Sequence, residues 1–90
     1  MTLVRVVVSP PAARDLRQLD RQVVRRILSK VEENTKLPDP LVRAKALSGN
    51  LSGLYRYRIG DHRVIFDVTP NKKITIYTVI TVKHRKDVYR

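Results

Sequence analysis

Ninety residues without a cysteine make a single domain, 1–90, with no disulfide framework, no thiolate nucleophile and no Cys-based zinc site. Nineteen basic residues against eight acidic ones give a net charge of +11 and a pI near 10.8. That excess opposes compaction through self-repulsion and points to nucleic acid, an acidic protein or an anionic membrane surface as partner.

No apolar run approaches the ~20 residues of a membrane span. The opening Met-Thr-Leu-Val-Arg-Val-Val-Val-Ser lacks the features of a signal peptide, so the chain is expected to be cytoplasmic. Two histidines and eight acids, none at a ligand spacing, predict neither metal nor cofactor.

Leu3 to Val8 is a β-branched run interrupted by Arg5, which predicts a strand with Val4, Val6 and Val8 inward. Ser9 followed by Pro10 and Pro11 is a helix start: a serine cap, then proline in the first turn. Ala12, Leu16 and Leu19 recur at helical spacing behind it. Asp20 begins a second helix with Val23, Val24, Ile27, Leu28 and Val31 as its apolar stripe, and Arg21, Arg25, Arg26 and Lys30 on the other side. Such basic faces are ordinarily solvated, or they steer the chain towards a polyanion. The short break makes an αα-hairpin.

Asn34 to Pro40 ends the second helix. Leu41 to Asn50 reads either as a short helical turn or as the approach to a strand. Gly53 to Val68 then has the pattern of two antiparallel strands folded about Gly60-Asp61. Tyr55, Tyr57 and Ile59 share one face of the first arm, and Arg56 and Arg58 the other, because strand side chains alternate. On the second arm Val64, Phe66 and Val68 oppose Arg63, Ile65 and Asp67. Thr69 to Lys72 is expected to turn the chain into a third run, Lys73 to Val82, with Ile74, Ile76, Thr78, Ile80 and Val82 on one face. The predicted class is therefore α+β: an N-terminal strand, an αα-hairpin and a three-stranded antiparallel meander, forming one small curved sheet.

Three stretches carry a resemblance when they occur in this order: Leu47-Ser-Gly-Asn-Leu-Ser-Gly-Leu-Tyr-Arg-Tyr-Arg, Asp61-His-Arg-Val-Ile-Phe-Asp-Val and the closing His84-Arg-Lys-Asp-Val-Tyr-Arg. Together they resemble the RelE branch of the RelE/ParE toxin superfamily, and Ser9-Pro-Pro-Ala-Ala-Arg-Asp-Leu is similar to that superfamily's first helix. The resemblance implies the toxin of a type II toxin-antitoxin system, held inactive in a hetero-oligomer with an acidic antitoxin. Its implied activity is that of an mRNA endoribonuclease acting in the ribosomal A site without a metal. The 2′-hydroxyl attacks the adjacent phosphate, leaving a 2′,3′-cyclic phosphate and a free 5′-hydroxyl.

By motif position, Arg56, Arg58 and Arg63 match the family's basic residues of the meander, and Tyr89 matches its terminal tyrosine. Arg85 is matched to the tail arginine, with Lys83 as the alternative, and Lys83 and Lys86 are expected to add phosphate contacts. The chemistry agrees with the assignment. In-line attack builds charge on the non-bridging oxygens, and fixed guanidinium groups stabilise it. Arg56 and Arg58, two residues apart on a strand, project about 7 Å from each other, and Tyr89 is suited to stack on a base.

One departure stands out. Well-studied RelE toxins carry lysines where this chain has Arg56 and Arg58, and arginine does not serve as a general base. His84 is the first candidate for that role and Tyr89 the second, with purely electrostatic activation of the 2′-hydroxyl as the other route. His62, beside the turn, is expected to be structural. A ParE-like gyrase inhibitor on the same scaffold and a non-catalytic nucleic-acid-binding module are the competing readings.

Overall fold

The computed structural model describes residues 3–71 and 74–84. Arg85, Lys86 and Tyr89 lie outside the described residues. Strand β1 (Leu3–Val8) leads into helix α1 (Pro10–Arg17) and helix α2 (Arg21–Thr35). A short strand β2 (Ala44–Ala46), the hairpin β3 (Leu54–Ile59) and β4 (His62–Asn71), and the long β5 (Ile74–His84) follow. The five strands form one sheet in the order β1-β5-β4-β3-β2. β1 is parallel to β5 and every other pair is antiparallel. The α+β class is as expected. The segment that had two readings supplies a fifth strand, paired through Ala44–Tyr57, Lys45–Arg56 and Ala46–Tyr55.

Local signals explain where the elements begin. The Ser9 hydroxyl accepts from the Ala12 N–H at 3.3 Å, with proline in the first two positions of α1, so the orphan donors of that turn are largely accounted for. Asp20 holds the N-cap position of α2 but makes no side-chain cap bond. Gly60 has φ +59° and closes the two-residue turn between Ile59 and His62, a conformation glycine adopts without steric cost.

Both helices lie on one face of the sheet. Ala12, Leu16, Ile27 and Val31 meet Tyr57, Ile59, Val64, Phe66, Tyr77, Val79 and Val82 there, all buried. Phe66 is the centre of this layer, with Tyr57 stacked at 4.5 Å and Tyr77 at 5.1 Å between ring centroids. The Tyr57 hydroxyl donates to the Pro40 carbonyl at 2.6 Å, tying the loop after α2 to the core. None of the described helices is long and apolar enough to cross a membrane.

Two strand expectations need correction. β4 runs through Thr69, Pro70 and Asn71, paired with Ile76, Thr75 and Ile74, where a turn had been expected. β3 stops at the Leu54–Asp67 pair, so beyond Asp67 one edge of β4 is unpaired, and a missing proline N–H is tolerated there. In β5 the inward row is Tyr77, Val79 and Val82, so Val82 does not share one face with Ile74, Ile76, Thr78 and Ile80 as expected. Ile65 pairs with Thr81 and Phe66 with Val79, leaving Ile80 as an extra residue. This bulge switches the face on which even-numbered residues lie.

Asp15 secures the end of β5 beyond the reach of β1. Its carboxylate accepts from the Thr81 hydroxyl at 2.8 Å and the Val82 N–H at 2.9 Å. Burial works to raise the Asp15 pKa, but these two bonds, with Lys83 and Arg14 nearby, hold it below the usual value.

Candidate functional site

The face of the sheet away from the helices is covered by no described element. Register alone assembles a site on it. Arg58 pairs with Arg63, and Arg63 with Lys83, so three cations form one row across β3, β4 and β5. In the adjacent same-face row, Lys45 pairs with Arg56, Arg56 with Ile65, and Ile65 with Thr81. Neighbouring strands are about 4.8 Å apart, which compresses five cations into two rungs of the ladder. The first acid on this face is Asp67, opposite Leu54 and one rung beyond Arg56.

Like charges placed directly across a pair oppose sheet formation. Arg56 shows the effect. It is half-buried, and desolvation, followed by repulsion from Arg58 and Arg63, lowers its pKa from the ordinary arginine value. It remains a cation, since arginine stays protonated throughout the physiological range. Its Nε is buried and has no hydrogen-bond partner among the described groups. A phosphate over this face would meet the guanidinium groups in a bidentate fashion and relieve the repulsion among them.

Lys45 is the residue that sequence reasoning missed. The alternation Ala44-Lys45-Ala46 was the available signal, but three residues are too few to separate a strand from a helical turn. The structure brings Arg56, Arg58, Arg63 and Lys83 together on one face.

It places His84 elsewhere. His84 pairs with His62, their rings meeting edge to face with centroids 5.2 Å apart. Val82 and Val64, two residues away on the same strands, are core residues, so alternation puts both imidazoles on the helix side. His84 thus lies across the sheet from the arginines. Among the described residues no group of three or more His, Asp or Glu side chains is placed to hold a metal ion.

A second feature lies between β1 and α2. A groove of about 830 Å³ is lined by Leu3, Val4, Val6 and Val8 on one side, and by Leu28, Val31, Leu37, Pro38 and Pro40 on the other, with Glu32, Thr35 and Lys36 also in its lining. Leu3, Val8 and Leu28 remain exposed. β1 is also an edge strand, so its outer backbone groups are available for pairing.

Fold and face together define a small basic toxin of the type II toxin-antitoxin class. Residues 6–89 match the family described as the ParE toxin of the type II toxin-antitoxin system, parDE, and the chain belongs to that family within the RelE/ParE superfamily. Solved structures agree. A chain of the RelE-RelB complex of Pyrococcus horikoshii OT3 is 30% identical, with 94% of this chain and 97% of that chain covered and a TM-score of 0.65. The RelBE2 toxin-antitoxin complex of Mycobacterium tuberculosis matches at 24% identity, 94% of each chain and a TM-score of 0.80. The YoeB/ParE toxin of Agrobacterium tumefaciens matches at 19% identity, covering 89% of this chain and 97% of that one, with a TM-score of 0.69. No curated protein matches the chain.

Proposed function

We propose that this toxin is a ribosome-dependent mRNA endoribonuclease that cuts in the A site without a metal or cofactor. The observation that carries the proposal is the row Arg58, Arg63 and Lys83, flanked by Arg56 and Lys45, on a sheet face that no described element covers. In the reaction the 2′-oxygen forms a bond to phosphorus, and the bond from phosphorus to the 5′-oxygen breaks. The 2′-hydroxyl gives up its proton and the departing 5′-oxygen gains one. The arginines hold the phosphate in line and stabilise the charge that grows on its non-bridging oxygens. Arg63, centred in the row, faces the scissile phosphate, and Arg56, Arg58 and Lys83 hold it and its neighbours.

Because His84 faces the helix side, proton transfer in this reading falls to Tyr89. Arg85 supplies a further charge, and Lys86 a phosphate contact. Free RNA is cut poorly, since the domain supplies charge while the ribosome supplies the in-line geometry. An acidic antitoxin segment that folds on contact would neutralise the toxin in a hetero-oligomer. The groove beside β1 suits its apolar anchors, and charge complementarity with a +11 chain favours its acidity.

The second reading, a ParE-like gyrase inhibitor, is favoured by one observation: the family that the chain matches carries the ParE description. Single-turnover cleavage of ribosome-bound message, with the ends of the products identified, tests the two. The nuclease reading predicts products ending in a 2′,3′-cyclic phosphate, much slower cleavage of naked message, and loss of most activity in Arg63→Ala. Products ending in a 3′-hydroxyl, or cleavage that proceeds equally well on naked message, would overturn it.

A further inference from the structure

Five exposed arginines sit around the elbow of the helical hairpin: Arg14 and Arg17 on α1, and Arg21, Arg25 and Arg26 on α2. Only two acids share residues 14–26. Asp15 is engaged by Thr81 and Val82, and Asp20 is the cap residue that makes no side-chain cap bond. The described ion pairs all lie at other places: Lys30–Glu33, Lys36–Glu32 and Arg43–Glu33. The acids of α2 thus compensate its C-terminal half and leave the elbow positive. Arg21 also occupies the first turn of α2, the positive end of the helix dipole, where a cation is unfavourable.

We propose that this elbow is a second RNA-binding surface, which takes the phosphate backbone of a double-helical RNA segment. It stands apart from the sheet-face arginines, because the helices cover the opposite face of the sheet. Three features of the hairpin decide which polyanion fits. Residues 10–35 contain no Phe, Tyr or Trp, so nothing there stacks on an unpaired base as single-strand readers do. The apolar residues Ala12, Leu16, Ile27 and Val31 are buried inward, leaving the elbow no wedge to enter a bilayer. An acidic protein would need buried apolar anchors, and these are offered by the groove beside β1 instead. What remains is a set of exposed guanidinium groups on two adjoining helices, suited to a phosphate ladder read by shape and charge.

The inference builds on the ribosome reading, which supplies structured RNA as the available duplex. The toxin would then grip the ribosome with the helical elbow and present its sheet face to the message. This divides binding from chemistry between two faces of one small domain.

The test uses the full-length toxin and a fluorescein-labelled RNA duplex of about 16 base pairs, with anisotropy followed from 50 to about 300 mM salt. Three proteins are compared with the wild type: R17Q/R21Q/R25Q, R17K/R21K/R25K and R56A/R58A. The glutamine triple should bind the duplex at least ~10-fold more weakly, with a salt slope lower by about one for each arginine–phosphate pair removed. The lysine triple should retain most of the slope, and R56A/R58A should retain the duplex affinity. On ribosome-bound message, the glutamine triple should need more ribosomes for half-maximal cleavage but keep the saturated rate, whereas R56A/R58A should lose the saturated rate.

A glutamine triple with wild-type duplex affinity and salt slope overturns the proposal. So does elbow-dependent binding to a DNA duplex of the same sequence that is as tight as binding to RNA. If the wild type cuts no ribosome-bound message, the nuclease reading fails, and the duplex measurement still decides the elbow by itself.

Discussion

Arg58→Gln is expected to stabilise the isolated toxin while disabling it. Arg58 is exposed and lies directly across from Arg63, with Arg56 two residues along the same strand. Two guanidinium charges about 7 Å apart repel by ~0.6 kcal/mol at the dielectric of water and by ~2.4 kcal/mol at an effective dielectric of 20. Exposure puts the real figure near the lower end. Glutamine keeps much of the side-chain length and removes the charge, so the expected gain is ~0.5 kcal/mol, or roughly 2–4 °C in Tm for a domain of this size.

The gain should be largest at 10 mM salt, where the screening length is about 30 Å, and should vanish near 1 M, where it is about 3 Å. Cleavage of ribosome-bound message should meanwhile fall roughly 10²-fold, equivalent to ~2.7 kcal/mol of barrier. Thermal melts at the two salt concentrations, run beside single-turnover cleavage, measure both halves. A lower Tm at low salt, or a shift indifferent to salt, would show that the cationic row is not repulsive. Such a row would have no stored repulsion for a bound anion to relieve.

Three further outcomes are expected. Asp15→Asn should lose about 1 kcal/mol at pH 7. Because the folded-state pKa is depressed, the contribution of the carboxylate is complete above the unfolded value of about 3.9 and disappears as pH falls through the lower folded value. Urea curves for wild type and variant should therefore converge at the acid end, and a gap of equal size at pH 7 and in acid would refute the assignment. Tyr57→Phe keeps the ring on Phe66 but removes the bond to the Pro40 carbonyl, at a cost of about 1 kcal/mol, whereas Tyr57→Ala should cost ~3–5 kcal/mol; equal losses in chemical denaturation would contradict the division. Arg85→Ala and Tyr89→Ala should each lower cleavage ~10²-fold while changing stability by no more than about 1 kcal/mol, and full toxicity in both would transfer the assignment to gyrase inhibition.

Alternation of side chains made much of the site legible. Arg56, Arg58 and Arg63 could be placed opposite Tyr57, Ile59 and Val64 from period two alone, and Gly60 marked the turn that sets their register. The Ser9 cap with Pro10 and Pro11 fixed the start of α1 equally directly. What escaped depended on pairing. The Ile80 bulge appears only when β4 is counted against β5, and without it the inward row of β5 is assigned to the wrong side. Pro70 reads as a turn residue until the early end of β3 frees one edge of β4. Lys45 joins the site only because β2 pairs with β3. His84 was associated with the arginines by its closeness to the tail in sequence, although alternation from Val82 carries it to the helix side.

Primer extension on translated messages after induction of the toxin, beside a gyrase supercoiling assay on the purified protein, tests the central claim most directly. The nuclease reading predicts new 5′ ends within codons of translated message, absent when translation initiation is blocked, and undiminished supercoiling. Intact messages together with inhibited supercoiling would contradict it.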